Sequence, residues 1–462
     1  MLSSAGWGRT VIRFYSTNGM APEVGLAAAL LQGQAPDRGL YLPRPLPVLR
    51  SGLLRRAFDL AYPELAAEVL WPYVEGTFAR EVLDEICADA YTYEVPLERV
   101  SGRAHVMRLD QGPTASFKDF AARFMGRALG RLVREQGREL LILTATSGDT
   151  GSAVASAFLG VPGIRVLILF PIREVSDRQR KQMTTLGGNV ATLALDGKFD
   201  HCQALVKRAF ADPELADLNL SSANSINIGR LLPQSVYYLW AASRLTDVGG
   251  GERIVVSVPS GNFGNMMGGM LAWHAGLQIA RMVIATNAND EVPRFLSTGR
   301  YQMIEPSREC ISNAMNVGHP SNLARLVDLY GGWMDETGAV RRAPDIGGLR
   351  RDLFGVSIDD EATRATIERV WKVHRVLLEP HGAVGWAGLE RFWGRHPEHR
   401  DTPAVSLETA HPAKFPEEVR ALTGVEPVVP PSLQGLDARP ESYRPIANSY
   451  EDFKSLLQKE YA

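Results

Sequence analysis

Cysteine is scarce in this chain: among 462 residues there are three, Cys87, Cys202 and Cys310, an odd number set far apart. A disulfide framework and a cysteine-built zinc site are thereby excluded, and a reducing cytoplasm is the expected home. A dominant charge sign is missing too, since 50 basic residues face 52 acidic ones for a net charge of −2. That balance recommends neither nucleic acid nor an anionic membrane as a partner. No apolar run approaches the ~18 residues of a membrane span. Residues 1–11, with Ser3, Ser4 and Arg9, lack the hydrophobic stretch of a secretion signal and read as a disordered extension or an upstream start site. A Walker loop, the dinucleotide glycine fingerprint, internal repeats and long low-complexity tracts are also missing. His396 and His399 flank Pro397 and Glu398 without further ligands nearby, so no metal site is expected.

What is present is a hydrophobic content of 45%, enough for two or three packed units. Amphipathic stretches over 53–58, 65–74 and 80–91 predict a mainly helical N-terminal region, 1–93. Between Val106 and Leu407 strand-like runs alternate with helical ones, most clearly at 164–170, 190–194, 253–258, 282–286 and 404–407. This alternation predicts an α/β core over 94–424 with mostly parallel sheet, whose ligand loops lie at strand C-terminal ends. The region 425–462 reads as a Pro-rich polar tail, to about residue 445, followed by a short helix over 450–458.

Chemistry concentrates first in Gly112-Pro113-Thr114-Ala115-Ser116-Phe117-Lys118. From Asp119 onward the pairs Phe120/Ala121, Phe124/Met125, Ala128/Leu129 and Leu132/Val133 recur every fourth residue, so Lys118 opens an amphipathic helix. The positive end of a helix dipole disfavours an ammonium group, which suits a lysine that is neutral or bound to something anionic. Schiff-base chemistry asks for such an amine, with small neighbours that leave room for an aldehyde cofactor. Taken alone, a lysine at a helix start is more simply a solvated surface residue. Two strand-turn-helix motifs shift that balance. Thr146-Ser147-Gly148-Asp149-Thr150-Gly151 follows the run Leu140 to Ala145 and either aims N–H groups and hydroxyls at an anion or is an ordinary turn capped by Ser147 or Asp149. Ser260-Gly261-Asn262-Phe263-Gly264, after Ile254 to Val258, has the glycines and exposed N–H groups of a phosphate cradle.

With these motifs on the page, the chain from about Phe14 to about Pro416 resembles the threonine synthases, pyridoxal-phosphate enzymes of fold type II, in their longer bacterial and fungal branch. The resemblance rests also on Phe14 to Gly19, Ala35 to Pro43, Asn224-Ser225-Ile226-Asn227 with Arg230, Ser312 to Met315, Glu379 to Ala383 and Thr409 to Phe415. It implies a fold like that of the tryptophan synthase β chain: two α/β subdomains with mostly parallel sheets plus the helical N-terminal region. It also implies that Lys118 holds pyridoxal 5'-phosphate as a Schiff base and moves protons. By the same resemblance Ser260, Gly261, Asn262, Phe263 and Gly264 bind the cofactor phosphate, and Thr409 offers its hydroxyl to the pyridine nitrogen.

The substrate so implied is O-phospho-L-homoserine, and the reaction is a β,γ-replacement in which phosphate leaves and water adds to give threonine. Arg230, Asn224 and Ser225 would hold the substrate phosphate, since a guanidinium fork matches phosphate geometry. Ser147 and Thr150 would take the carboxylate or share the phosphate. Asp149, counted by the resemblance among the cofactor-binding residues, stands where the wider fold type commonly has asparagine; an ionised aspartate only accepts hydrogen bonds, and it is expected to accept backbone N–H groups of its turn unless a neighbour keeps it protonated. Lys414 is a candidate for a charge near the substrate phosphate, while His381 and His411 read as pocket-shaping residues. A closing movement between subdomains is expected, and the protein is expected to be a monomer or homodimer. The alternatives are a related pyridoxal-phosphate lyase, either a threonine or serine dehydratase or an O-phospho-amino-acid phospholyase, and a cofactor-bound protein without turnover.

Overall fold

The computed structural model describes residues 11–50 and 52–461, so the extension expected over residues 1–11 lies, Val11 apart, outside the described residues. The helix Lys118–Gln136 forms as its periodicity requires, with Phe120, Phe124, Met125, Leu129, Leu132 and Val133 all buried. It stops at Gly137, which adopts φ 59° and closes the helix in the left-handed region that suits glycine. Gly126 lets this helix press against Asp149–Phe158, for a Cβ there would lie 2.6 Å from the carbonyl oxygen of Ala157. The two helices that present Lys118 and Asp149 at their first turns are thereby held in contact.

Two sheets carry the core. One has five parallel strands in the order Arg444–Ile446, Val190–Leu195, Ile164–Pro171, Leu140–Ala145 and Leu220–Ser221. The other has six, in the order Leu353–Ser357, Ile279–Thr286, Ile254–Pro259, Ala404–Glu408, Ala104–Arg108 and Leu97–Ser101, antiparallel only in the last pair. Their central strands are apolar on both faces because helices cover both sides. In the N-terminal region the helices Tyr62–Val74 and Arg80–Ala90 form where expected, whereas the predicted helix over 53–58 is confined to Leu53–Arg56. The region also holds an antiparallel pair, Arg13–Ser16 with Tyr41–Arg44, too short for its alternation to stand out. Among the described residues no helix is long and apolar enough to cross a membrane.

The C-terminal stretch departs from the tail expected of it. Arg444–Ile446 joins the five-stranded sheet as an edge strand, a position that tolerates Pro445. The final helix runs over Tyr450–Tyr461 and buries Phe453 and Leu457 in one cluster with Leu167, Leu193 and Leu205. Phe453→Ala is therefore expected to cost about 3 kcal/mol of stability, read as a lowered denaturation midpoint of the full chain. A loss below about 1 kcal/mol would mean that the segment is not part of this core.

Candidate active site

The loop before Lys118 is closed by its neighbour. The buried Asp119 carboxylate accepts the Thr114 N–H and the Thr114 hydroxyl, both at 2.8 Å. Gly112 is required beneath it, since a Cβ there would fall 2.4 Å from Asp119 Oδ2. The loop is also stitched to the segment after Ala404–Glu408: Phe117 N–H donates to the Thr409 carbonyl at 2.9 Å and His411 N–H to that of Ala115 at 3.0 Å. Lys118 and Thr409 thus arrive side by side at one cavity of about 960 Å³.

That cavity lies at the C-terminal ends of the strands, and it brings together Lys118, Ser147, Asp149, Thr150, Asn224, Ser225, Arg230, the stretch Ser260 to Gly264, and Thr409. In the turn after Leu140–Ala145 the N-cap position is Gly148, and the capping hydroxyl comes from Thr146 rather than from Ser147 or Asp149: its Oγ1 accepts the N–H groups of Gly148 at 3.0 Å and Gly151 at 2.8 Å. Ser147 and Asp149 are therefore left to the cavity. Asp149 departs from its expected role as an acceptor of backbone N–H groups. Its Oδ1 lies 2.5 Å from Lys414 Nζ and accepts Gln179 Nε2 at 3.1 Å, and its Oδ2 lies 3.7 Å from Lys118 Nζ. Burial pushes its carboxyl up, but Lys414, Lys118 and His381 together hold it well below the usual carboxylate range. Burial pushes the Lys118 amine down, against the pull of Asp149, with Lys414 and Arg230 adding to the lowering.

After Ile254–Pro259 the cradle forms around backbone. Gly261 is tightly backed, with a Cβ position 3.0 Å from Met315 Cα and 3.1 Å from the Ala314 carbonyl oxygen; Phe263 takes φ 63° as the N-cap of Gly264–His274. The first-turn N–H groups of that helix have no carbonyl one turn below, and Gly264, Asn265 and Met266 line the cavity. Ser260 differs from its neighbours: directly after the strand, its N–H donates to Ala285 O at 2.8 Å and its hydroxyl to Val258 O at 2.9 Å. Asn265, one residue beyond the motif, takes a donor position instead. Tyr237 and Tyr238 donate to its Oδ1 at 2.6 and 2.7 Å, leaving its buried Nδ2 with no partner among the described residues.

Arg230 is buried in the turn Ile228–Arg230. One guanidinium nitrogen donates to Ala223 O at 2.8 Å, while Nε has no partner among the described residues. Burial lowers its pKa to about 10, so it remains a cation at neutral pH. Behind it, the fully buried Arg325 donates to the carbonyls of Tyr41 and Ser225 at 3.0 and 3.1 Å and to Asn322, whose Nδ2 donates to Asn262 O at 2.9 Å. One buried arginine therefore ties the Ser225 segment to the glycine loop. His381 forms part of the floor: its Nδ1 meets Glu379 at 2.5 Å and its Nε2 accepts Ala314 N–H at 3.1 Å. His411 caps its own turn by accepting Ala413 N–H at 3.1 Å. Asn265, Arg325 and Gln179 carry no sequence signal beyond, for Asn265, its adjacency to the glycine motif.

A lysine-centred cavity between two parallel α/β units, with a backbone anion cradle, defines a pyridoxal-phosphate-dependent enzyme of fold type II. The family model of that name, "Pyridoxal-phosphate dependent enzyme", matches residues 91–405, and models of the threonine synthase N terminus and C-terminal region match 13–91 and 382–457. Threonine synthase of Haemophilus influenzae is 38% identical over 451 residues, covering 97% of this chain and 100% of that protein. The pyridoxal-phosphate-bound threonine synthase structure from Brucella melitensis superposes with a TM-score of 0.88 at 34% identity, over 97% of this chain and 99% of that one. The Escherichia coli structure does so at 0.86 and 36%, over the same shares. The chain belongs to the threonine synthase family and is a pyridoxal-phosphate-dependent enzyme of threonine biosynthesis.

The residues present fit that cofactor. Lys118 would supply the amine, the glycine-backed loop would leave room for a phosphate, Asn265 Nδ2 is a donor without a partner among the described residues, and Thr409 lies beside Lys118. Gly261→Val, which forces side chain against the backbone of Ala314 and Met315, is expected to weaken pyridoxal phosphate binding at least ~10-fold, or about 1.4 kcal/mol, in a fluorescence titration of the folded protein. An unchanged dissociation constant would remove Gly261 from the cradle.

Proposed function

We propose that the chain converts O-phospho-L-homoserine and water to L-threonine and phosphate, with Lys118 as its catalytic amine. The observation that carries this reading is Arg230, a buried guanidinium with an unpartnered Nε on the same cavity as Lys118. A buried cation without an anion is unfavourable, and a substrate phosphate is the partner its planar fork matches. A dehydratase acting on threonine or serine has no use for it.

The remaining roles follow from chemistry. Pyridoxal phosphate, when bound, supplies an electron sink for charge developing next to the amino-bearing carbon. Lys118 would hold it until substrate takes its place; the freed amine would take the α-proton and then a β-proton, and, once phosphate has left and water has added its hydroxyl at the β-carbon, would have returned one proton to the γ-carbon and one to the α-carbon. Asn224 and Ser225 join Arg230 around the phosphate, which leaves from the γ-carbon. Ser147 and Thr150, at the start of Asp149–Phe158, receive the substrate carboxylate, where the helix dipole favours an anion. Gly261, Asn262, Phe263 and Gly264 bind the cofactor phosphate through backbone N–H groups, with Ser260 shaping the loop. Thr409 offers its hydroxyl to the pyridine nitrogen. A cytoplasmic monomer or homodimer without nucleic-acid partners accords with three unpaired cysteines and a near-balanced charge.

The purified, cofactor-loaded protein is expected to release threonine and phosphate in equal amounts from O-phospho-L-homoserine, and Lys118→Ala to abolish both. Arg230→Leu is expected to raise KM on the order of 100-fold, the loss of a charge-assisted pair, with a smaller effect on kcat. Phosphate accompanied by a 2-keto acid would make the protein a lyase of another kind, and an unaltered KM would take Arg230 out of the phosphate site.

A further inference from the structure

Asp149 is 2% exposed and Lys414 is fully enclosed, so their 2.5 Å contact is a buried ion pair. Lys414 is not free to leave it. Its Nζ also donates to Thr114 O at 3.1 Å, and its turn, Pro412–Lys414, is held by the His411 ring through Ala413 N–H and by Arg178 through the Ala413 carbonyl. Lys118 stands on the other carboxylate oxygen at 3.7 Å, beyond hydrogen-bond reach. The carboxylate is thus bound firmly on one side and attracts without tying on the other.

We propose that Lys414 is a positioning residue of this site: it anchors and neutralises Asp149, so that Lys118 can exchange its proton and its covalent partner without stranding a buried carboxylate. Only the part of the proposed function that makes Lys118 the cofactor-bearing amine enters here; the identity of the substrate does not. With Lys414 in place, the Asp149–Lys414 pair is neutral whether or not the Lys118 nitrogen carries charge. Without it, the carboxylate's remaining cationic neighbour within 4 Å is Lys118. The reactive nitrogen would then be held in a charged salt bridge, because an unpaired buried carboxylate is strongly unfavourable.

The groups that face Lys118 come from four elements: Asp149 from its helix, Lys414 from its turn, Arg230 from Ile228–Arg230, and Glu379 at the cap of Pro380–Arg395; His381 in addition faces Asp149. Burial and the positive charges of Lys414 and Arg230 weaken proton binding at Lys118, while Asp149 and Glu379 strengthen it. Removing the Lys414 charge deletes one weakening influence and leaves Asp149 uncompensated. Proton affinity at the Lys118 nitrogen must therefore rise, and removing Asp149 must lower it.

The test is a spectrophotometric pH titration of bound pyridoxal phosphate in the full-length loaded protein, with borohydride reduction and peptide mass spectrometry to identify the modified lysine. Lys414→Met is expected to move the titration of the Lys118 linkage up by about one pH unit or more, a tenfold change in proton affinity. Lys414→Arg, which keeps the charge, is expected to stay with the native protein. Asp149→Asn is expected to move the titration down, and the double variant Asp149→Asn/Lys414→Met to fall back towards the native value. If Lys414→Met does not fold, Lys414→Gln decides in its place: an upward shift upholds the role, and for either variant an unshifted titration overturns it. An upward shift that persists in the double variant also overturns it. Reduction that labels a lysine other than Lys118 removes both this role and the assignment of Lys118. Correct labelling and shifts without threonine formation would leave this role intact and remove the substrate assignment alone.

Discussion

The amine of Lys118 is the first side chain of a 19-residue helix, at the end where the helix dipole is positive, and it is 14% exposed. An ammonium group there is disfavoured twice, by the dipole and by lost hydration. The surrounding groups offset that cost without abolishing the reactivity. Asp149 lies at the first turn of a second helix, where a carboxylate is favoured by that helix's own dipole. Its closest cationic contact is with Lys414, so it draws Lys118 towards it but does not bind it. Gly126, 2.6 Å from Ala157 O at its Cβ position, lets the two helices approach closely enough for this arrangement.

The sheets set the direction from which every other group arrives. Ser147, Ser222, Ser260 and Thr409 each follow the C-terminal end of a parallel strand, and all four line one cavity. Parallel strands deliver their following loops to one edge, which is why residues far apart in sequence meet there. Those loops are then fixed to one another. Thr409 is bonded by its carbonyl to Phe117, Asn262 by its carbonyl to Asn322, and Ser225 by its carbonyl to Arg325. The backbone of the site is thus held by hydrogen bonds that leave the cavity-facing side chains available.

Local pattern made much of this legible. The four-residue spacing after Lys118 dictates a helix with one buried face, and apolar runs ending in small polar turns dictate strands that feed anion-binding loops. What stayed hidden depends on contacts between distant segments. Thr146 outcompetes Ser147 and Asp149 as the cap because its hydroxyl reaches two N–H groups at once. Asn265 becomes a donor because Tyr237 and Tyr238, nearly thirty residues earlier, fix its amide orientation. Asp149 and Lys414 lie on separate elements, and nothing in either motif announces that they form a pair. The strand Arg444–Ile446 is short and contains a proline, so only its place at a sheet edge makes it a strand.

Two arginines show where such reading ends and geometry takes over. Arg230 and Arg325 are both buried, and burial lowers the pKa of each, to about 10 and about 9. Arg325 is surrounded by carbonyl oxygens of Tyr41, Ser225 and Ile226 and by Asn322, which use its donors and make it an internal strut. Arg230, which lines the cavity, keeps a buried Nε without a partner among the described residues. A buried guanidinium donor without a hydrogen-bond partner leaves part of its desolvation cost uncompensated. Burial is thus common to the two, and what separates them is that the donors of Arg325 are used within the scaffold while Arg230 keeps its Nε–H without a partner among the described residues.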